Sequence, residues 1–89
     1  MEGDSPFLPV PAPDLGRLPV GQGPRVVGWL AEVGEAVAAG QRVCEVGVPG
    51  LLAAAESPAA GTLVRVNVPD GTEIAPGESL GWVERGGAS

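Results

Sequence analysis

The sequence contains no lysine and no histidine, a single cysteine, and aromatic residues only at Phe7, Trp29 and Trp82. Without histidine, serine and cysteine triads of the usual kind lack their general base, and phosphohistidine chemistry is excluded. One cysteine and no histidine cannot build a zinc site, which draws several ligands from those residue types. Cys44 has no intramolecular disulfide partner, which suits a reducing cytoplasm, and on a strand it reads as a small buried hydrophobe. Basic residues are also scarce, with five arginines against eleven acids and a net charge of −6. A nucleic-acid binder needs cations to displace counterions from phosphates, so neither nucleic acid nor an anionic membrane surface is an expected partner. No apolar run approaches the roughly 20 residues of a membrane-spanning helix. The opening residues, Met1-Glu2-Gly3-Asp4, carry no basic stretch ahead of an apolar one, so a secretory signal is not expected. The Gly21-Gln22-Gly23-Pro24 run lacks the lysine and the helix of a phosphate loop. Asp14, Asp70, Glu73 and Glu78 fall in turns and read as solvated acids, since a catalytic pair needs convergent carboxylates with perturbed pKa values. The inventory therefore reads against an enzyme and against a metal site.

Hydrophobic residues nevertheless make up 44% of the chain, too many for simple disorder. With so few aromatics the core falls to Val, Leu, Ile and Ala. Fifteen glycines and ten prolines in 89 residues fit short strands joined by tight turns rather than long helices. Residues 1–24 hold Pro6, Pro9, Pro11, Pro13, Pro19 and Pro24. The reading is an extended arm over 1–9, part of which can pair as an edge strand where proline is tolerated. One domain then spans 10–84, and 85–89 form a loose tail.

An internal repeat runs through that domain at an offset of 37. Residues 25–46 align with 62–83: Val27 meets Val64, Gly34 meets Gly71, Ala38 meets Ala75, Gly40 meets Gly77 and Val46 meets Val83. Val26 with Leu63, Val37 with Ile74 and Val43 with Leu80 are conservative matches. Two copies make one domain of two quasi-equivalent halves rather than a solenoid. Each half reads as a strand, a glycine turn, one inward apolar residue, a second turn and a short closing strand. Period-two alternation places Val27, Trp29, Ala31 and Val33 on one face of the first strand, and Val64, Val66 and Val68 on one face of its copy. A helix across 30–43 is disfavoured, because Gly34 and Gly40 would each cost ~1 kcal/mol inside it.

Between the halves, residues 46–55 carry no charge at all. Pro49 and Gly50 suit the two central positions of a type II turn, proline presetting the first φ and glycine taking the positive second one. The segment reads as a hairpin with its tip there. An uncharged exposed hairpin points to a contact surface, with Val48, Pro49, Leu51 and Leu52 as its candidate partner-contacting residues.

In its order of motifs the chain resembles the biotinyl/lipoyl domain family, and is most similar to the lipoyl domains of 2-oxo acid dehydrogenase acyltransferases. The resemblance rests on Pro13-Asp14-Leu15-Gly16, on Val26-Val27-Gly28-Trp29-Leu30 and on the glycine-bounded run from Gly34 to Gly40. It continues through Cys44-Glu45-Val46, the Ser57-Pro58 run and the run from Gly71 to Gly77, and covers nearly all of 10–84. It implies an all-β flattened barrel, a barrel-sandwich hybrid of two four-stranded antiparallel sheets. The hairpin would project at one end and both termini would lie at the other.

In that family the hairpin presents a lysine that carries lipoate or biotin. Counting from Glu45-Val46 and back from Ser57-Pro58, the resemblance puts Gly50 at that position, flanked by Pro49 and Leu51. An amide-linked arm needs a primary amine, and no side chain in this sequence offers one, so no cofactor is expected. The function expected is a non-catalytic protein-interaction module related to dehydrogenase lipoyl domains, its partner a second copy or a component of such a complex. The alternative is a lipoyl (less readily biotinyl) swinging-arm carrier of a multienzyme complex whose lysine is replaced here.

Overall fold

A computed structural model describes residues 6–16, 18 and 23–86. None of these is helical; the described residues form seven strands. They are β1 (Phe7–Pro11), β2 (Arg25–Trp29), β3 (Ala36–Val37), β4 (Arg42–Val48), β5 (Leu51–Glu56), β6 (Gly61–Val66) and β7 (Ser79–Arg85). One sheet has the order β1-β7-β6-β3 and the other the order β2-β4-β5. Every pairing is antiparallel. Phe7, Leu8 and Pro9 lie opposite Glu84, Val83 and Trp82 of β7. Residues 1–5 of the arm and 87–89 of the tail lie outside the described residues.

The repeat seen in the sequence is a repeat of the ladder. On β2 and β4, Arg25 pairs with Gly47, Val26 with Val46, Gly28 with Glu45 and Trp29 with Cys44. On β6 and β7, Thr62 pairs with Glu84, Leu63 with Val83, Arg65 with Trp82 and Val66 with Gly81. Each of these pairs is the other moved by 37 along both strands. The bulge recurs as well: Val27 in one half and Val64 in the other are the unpaired extra residues. Strands β1 and β5 are likewise equivalent, at an offset of 45. Val10 faces Gly81 as Ala55 faces Cys44, and Pro11 faces Ser79 as Glu56 faces Arg42. The offset grows by eight because Arg25 follows Pro11 by eight more positions than Thr62 follows Glu56.

The first sheet has its four strands, but the second falls short of the expected four. Where β3 pairs Ala36 with Thr62 and Val37 with Gly61, the second half has a single bridge, Arg25 to Glu73. The next pair along would be Ile74 with Pro24. Ile74 does donate its N–H to the Pro24 carbonyl, but proline has no N–H to return. Pro24 therefore stops the ladder one residue in, and the fourth strand is reduced to one bridge.

The bulges also break up the single face read from alternation. A bulged residue is left unpaired and resets the pleat behind it. Val26 is buried and Val27 turns out to solvent, after which Trp29 packs on the core and Ala31 is buried. Val33 is exposed in its turn. In the second half Leu63 is buried and Val64 is half-buried, after which Val66 packs on the core and Val68 is buried.

The core inherits the two-fold relation. Val10 and Ala55, Val26 and Leu63, Ala31 and Val68, Val37 and Ile74, Val43 and Leu80, and Val46 and Val83 are all buried. The remaining buried hydrophobics, Ala12 and Cys44, have buried counterparts in Ser57 and Gly81. No aromatic residue is fully buried; Trp29 lies at the margin, its Nε1 donating to the Val68 carbonyl at 2.9 Å. Burying one Val or Leu side chain stabilises by about 1.5–3 kcal/mol, so a core this small depends on each of its members. Leu63 has no exposed surface while Leu30 is half exposed. In urea titrations, Leu63→Ala is expected to cost about 2–5 kcal/mol and Leu30→Ala less than about 0.5 kcal/mol.

Candidate functional site

The hairpin of β4 and β5 closes with Val48 opposite Leu51, leaving Pro49 and Gly50 as a two-residue loop. Gly50 has φ +86°, and no non-glycine residue among those described has a positive φ. A negative φ at proline followed by a positive φ at glycine is the type II combination. Two-residue hairpins prefer mirror-image turns because those match the strand twist; a type II turn splays the strands. Proline, with its φ fixed near −65°, forbids the type I′ solution here. A Cβ on Gly50 would meet nothing within 4 Å, so backbone conformation rather than crowding favours glycine at the tip. Gly47 is the reverse case: a Cβ there would run into the Leu51 carbonyl, so the hairpin's close strand approach requires glycine.

Pro49 and Gly50 are exposed and Val48 is half-buried. Leu51 is 43% exposed and Leu52 60%. The hairpin flanks an open groove of about 710 Å³ lined also by Arg25, Val26, Val27 and Gly71. Arg25 is the one charged lining residue, and its Nη1 donates to the Gly71 carbonyl at 3.0 Å. The groove wall is otherwise apolar or backbone. The structure thus brings together Val48, Pro49, Leu51 and Leu52, the residues singled out in the sequence. It adds Val27, which alternation had placed on one face with Trp29 and Ala31. Nothing in the sequence marks the bulge that turns Val27 outward, since the two halves share it without a gap in their alignment.

Of the turn acids singled out in the sequence, Asp14 accepts the Gly16 N–H and Glu78 that of Ala75, each within its own turn, as Glu35 accepts that of Glu32. No three metal-ligating side chains converge among the described residues. No buried side-chain polar atom there lacks a partner. Cys44 is fully buried. Burial pushes its thiol up from 9.0 to about 12, helped by the negative charges of Asp70 and Glu45. Thiolate is the reactive form, so Cys44 of the native protein is expected to resist a thiol reagent at neutral pH and to react once unfolded. The unfolded thiol ionises near 9 and the folded one only near 12. The unfolded state therefore releases its proton first. The contribution of Cys44 to stability is complete below about pH 9 and falls as pH rises toward 12. Denaturant titrations of Cys44→Ala beside the native chain should show the mutant losing less stability across that window.

The family model described as "Biotin-requiring enzyme", of the biotin/lipoyl type, matches residues 9–82. No curated protein matches the chain by sequence comparison.

Proposed function

The chain belongs to the biotin/lipoyl domain family, and we propose that it is a carrier-type domain that works without a prosthetic group, through protein contacts of its β4–β5 hairpin. Domains of this family carry a group and do not themselves catalyse, in keeping with a chain that assembles no catalytic side chains among its described residues. The observation that carries the proposal is the chemistry of the tip. A lipoyl or biotinyl arm is attached by an amide to a lysine amine, and the sequence has no lysine. Gly50, at the exposed turn, is the residue that the family resemblance places at the attachment position. Its flanks, Pro49 and Leu51, are apolar. The residues present do not fit the group.

The uncharged hairpin supports a contact role. Exposed apolar patches on small domains mark interaction sites more often than chance, and Leu51, Leu52 and Val27 cluster at the groove beside the tip. A relationship to the acyltransferase lipoyl domains of 2-oxo acid dehydrogenases supplies a class of partner, the components of such complexes. A cytoplasmic location accords with the single free cysteine.

A second reading draws on the space around Gly50. A side chain there would meet no steric obstacle, so the hairpin keeps the form of an attachment tip and differs from a swinging-arm carrier by the missing amine. Intact-mass measurement after co-expression with lipoate and biotin ligases tests both. The native chain is expected to gain no mass, and a lipoyl or biotinyl increment on it would sink the proposal. Gly50→Lys is expected to fold with a loss of about 1–2 kcal/mol, because the new residue must hold a positive φ. Modification of that variant would show that only the amine separates this hairpin from an acceptor.

A further inference from the structure

The sheets end in unequal edges. In β5 the odd-numbered residues bond to β4: Val48 opposes Leu51 across the turn, and Ser57, next in the same phase, donates its N–H to the Gln41 carbonyl. The backbone groups of Leu52, Ala54 and Glu56 therefore point away from β4. No backbone bond joins β5 to any other strand among the described residues. Strand β1 comes near it but shares no ladder with it. On β1 the same phase holds. Ala12 donates to the Glu78 carbonyl, and the Pro6 carbonyl accepts from Arg85, so Phe7, Pro9 and Pro11 point outward. Pro9 and Pro11 are the two-fold counterparts of Ala54 and Glu56. One edge has proline at two of its outward positions, and its twin has none. The other edges are the two residues of β3 and the lone bridge at Glu73.

A six-residue edge strand with a single charge, at its end, and no proline is a template for another strand. We propose that β5 pairs antiparallel with β5 of a second copy of this chain, joining two three-stranded sheets into one. The inference rests on the hairpin's contact role proposed above and names its partner. The strand is self-complementary. The register centred on Ala54 uses every outward residue: Ala54 exchanges both backbone bonds with Ala54 of the second copy, and Leu52 with Glu56. Glu56, the one charged residue of β5, then lies opposite Leu52 and not opposite its own copy, so no like charges face each other. The outer face of β5 carries small Ala54 beside Leu52 and Glu56, and Arg42 and Glu45 of β4 line the same groove. A two-fold pairing uses the same edge on both copies and so closes at two. The proline-bearing β1 edge offers no second site from which a chain of copies could grow.

Sedimentation velocity over a concentration series tests this, with Ala54→Pro as the diagnostic variant. Proline at 54 removes an N–H that β4 does not use, and the fold already holds proline at the equivalent Pro9. The native chain is expected to dimerise, and Ala54→Pro to weaken the dimer about tenfold or more with its far-UV circular dichroism unchanged. Hydrogen exchange on the native chain gives an independent readout: the amides of Leu52, Ala54 and Glu56 should gain protection as concentration rises. Those of Ala53 and Ala55 should be protected throughout. A native chain monomeric up to millimolar concentration overturns the proposal, as does a dimer indifferent to Ala54→Pro. Should Ala54→Pro fail to fold, constant exchange at the three outward amides overturns it. A dimer lost with Leu52→Asp but kept with Ala54→Pro would leave the hairpin as a contact surface and discard edge pairing. A prosthetic mass increment on the native chain would instead strike the parent reading alone.

Discussion

The fold depends on a reciprocal set of backbone hydrogen bonds by which each half closes the other. The Gly34 N–H reaches the Leu63 carbonyl, and the Gly71 N–H reaches the Val26 carbonyl. In return Leu63 donates to Glu35 and Val26 to Thr72. The turn of one half thus satisfies the first strand of the other, so neither half can complete its hydrogen bonding alone. The positive φ of both glycines allows their amides to point across rather than back. A buried or half-buried strand with unmet backbone groups is costly, so the duplication is a structural necessity as well as a sequence pattern.

That constraint explains how so small a chain holds together. The core is made of matched pairs, and each pair tolerates size differences between its members, as Val10 with Ala55 or Ala31 with Val68. Aromatic bulk is absent from the centre. Glutamine and glutamate play one role in the two halves: Gln41 and Glu78 each accept the N–H of the residue three before them, at 2.9 Å. Asymmetry is concentrated in a few places. The first half has eight extra residues between its edge strand and β2, Pro24 cuts one ladder short, and prolines sit on one edge strand but not on its twin. The hairpin is a further asymmetry: its tip is continuous chain, while the equivalent end of the other sheet is where β1 begins and β7 ends.

These asymmetries separate structure from function here. The paired core positions are buried and carry the fold. Exposed features distinguish this domain: an amine-free tip, an apolar groove beside it and an edge strand without proline. A family fold can keep its frame while its working end changes, because function resides in sites placed on the fold rather than in the fold.

The sequence alone determined the duplication, the turn glycines, the two-residue hairpin and the absence of any lysine amine, since these follow from residue identity and spacing. It also marked Cys44 as a buried hydrophobe and one apolar residue of each half, Val37 or Ile74, as inward. Tertiary structure alone decided the phase of the strands. Alternation put Val27 on the same face as Trp29 and Ala31, but a bulge shared by both halves leaves no trace in their alignment and turns that side chain into the groove. It also decided which edge is open. Proline at 9 and 11 is legible in the sequence, but whether those missing N–H groups face β7 or solvent depends on the pairing phase, which is set by the opposing strand.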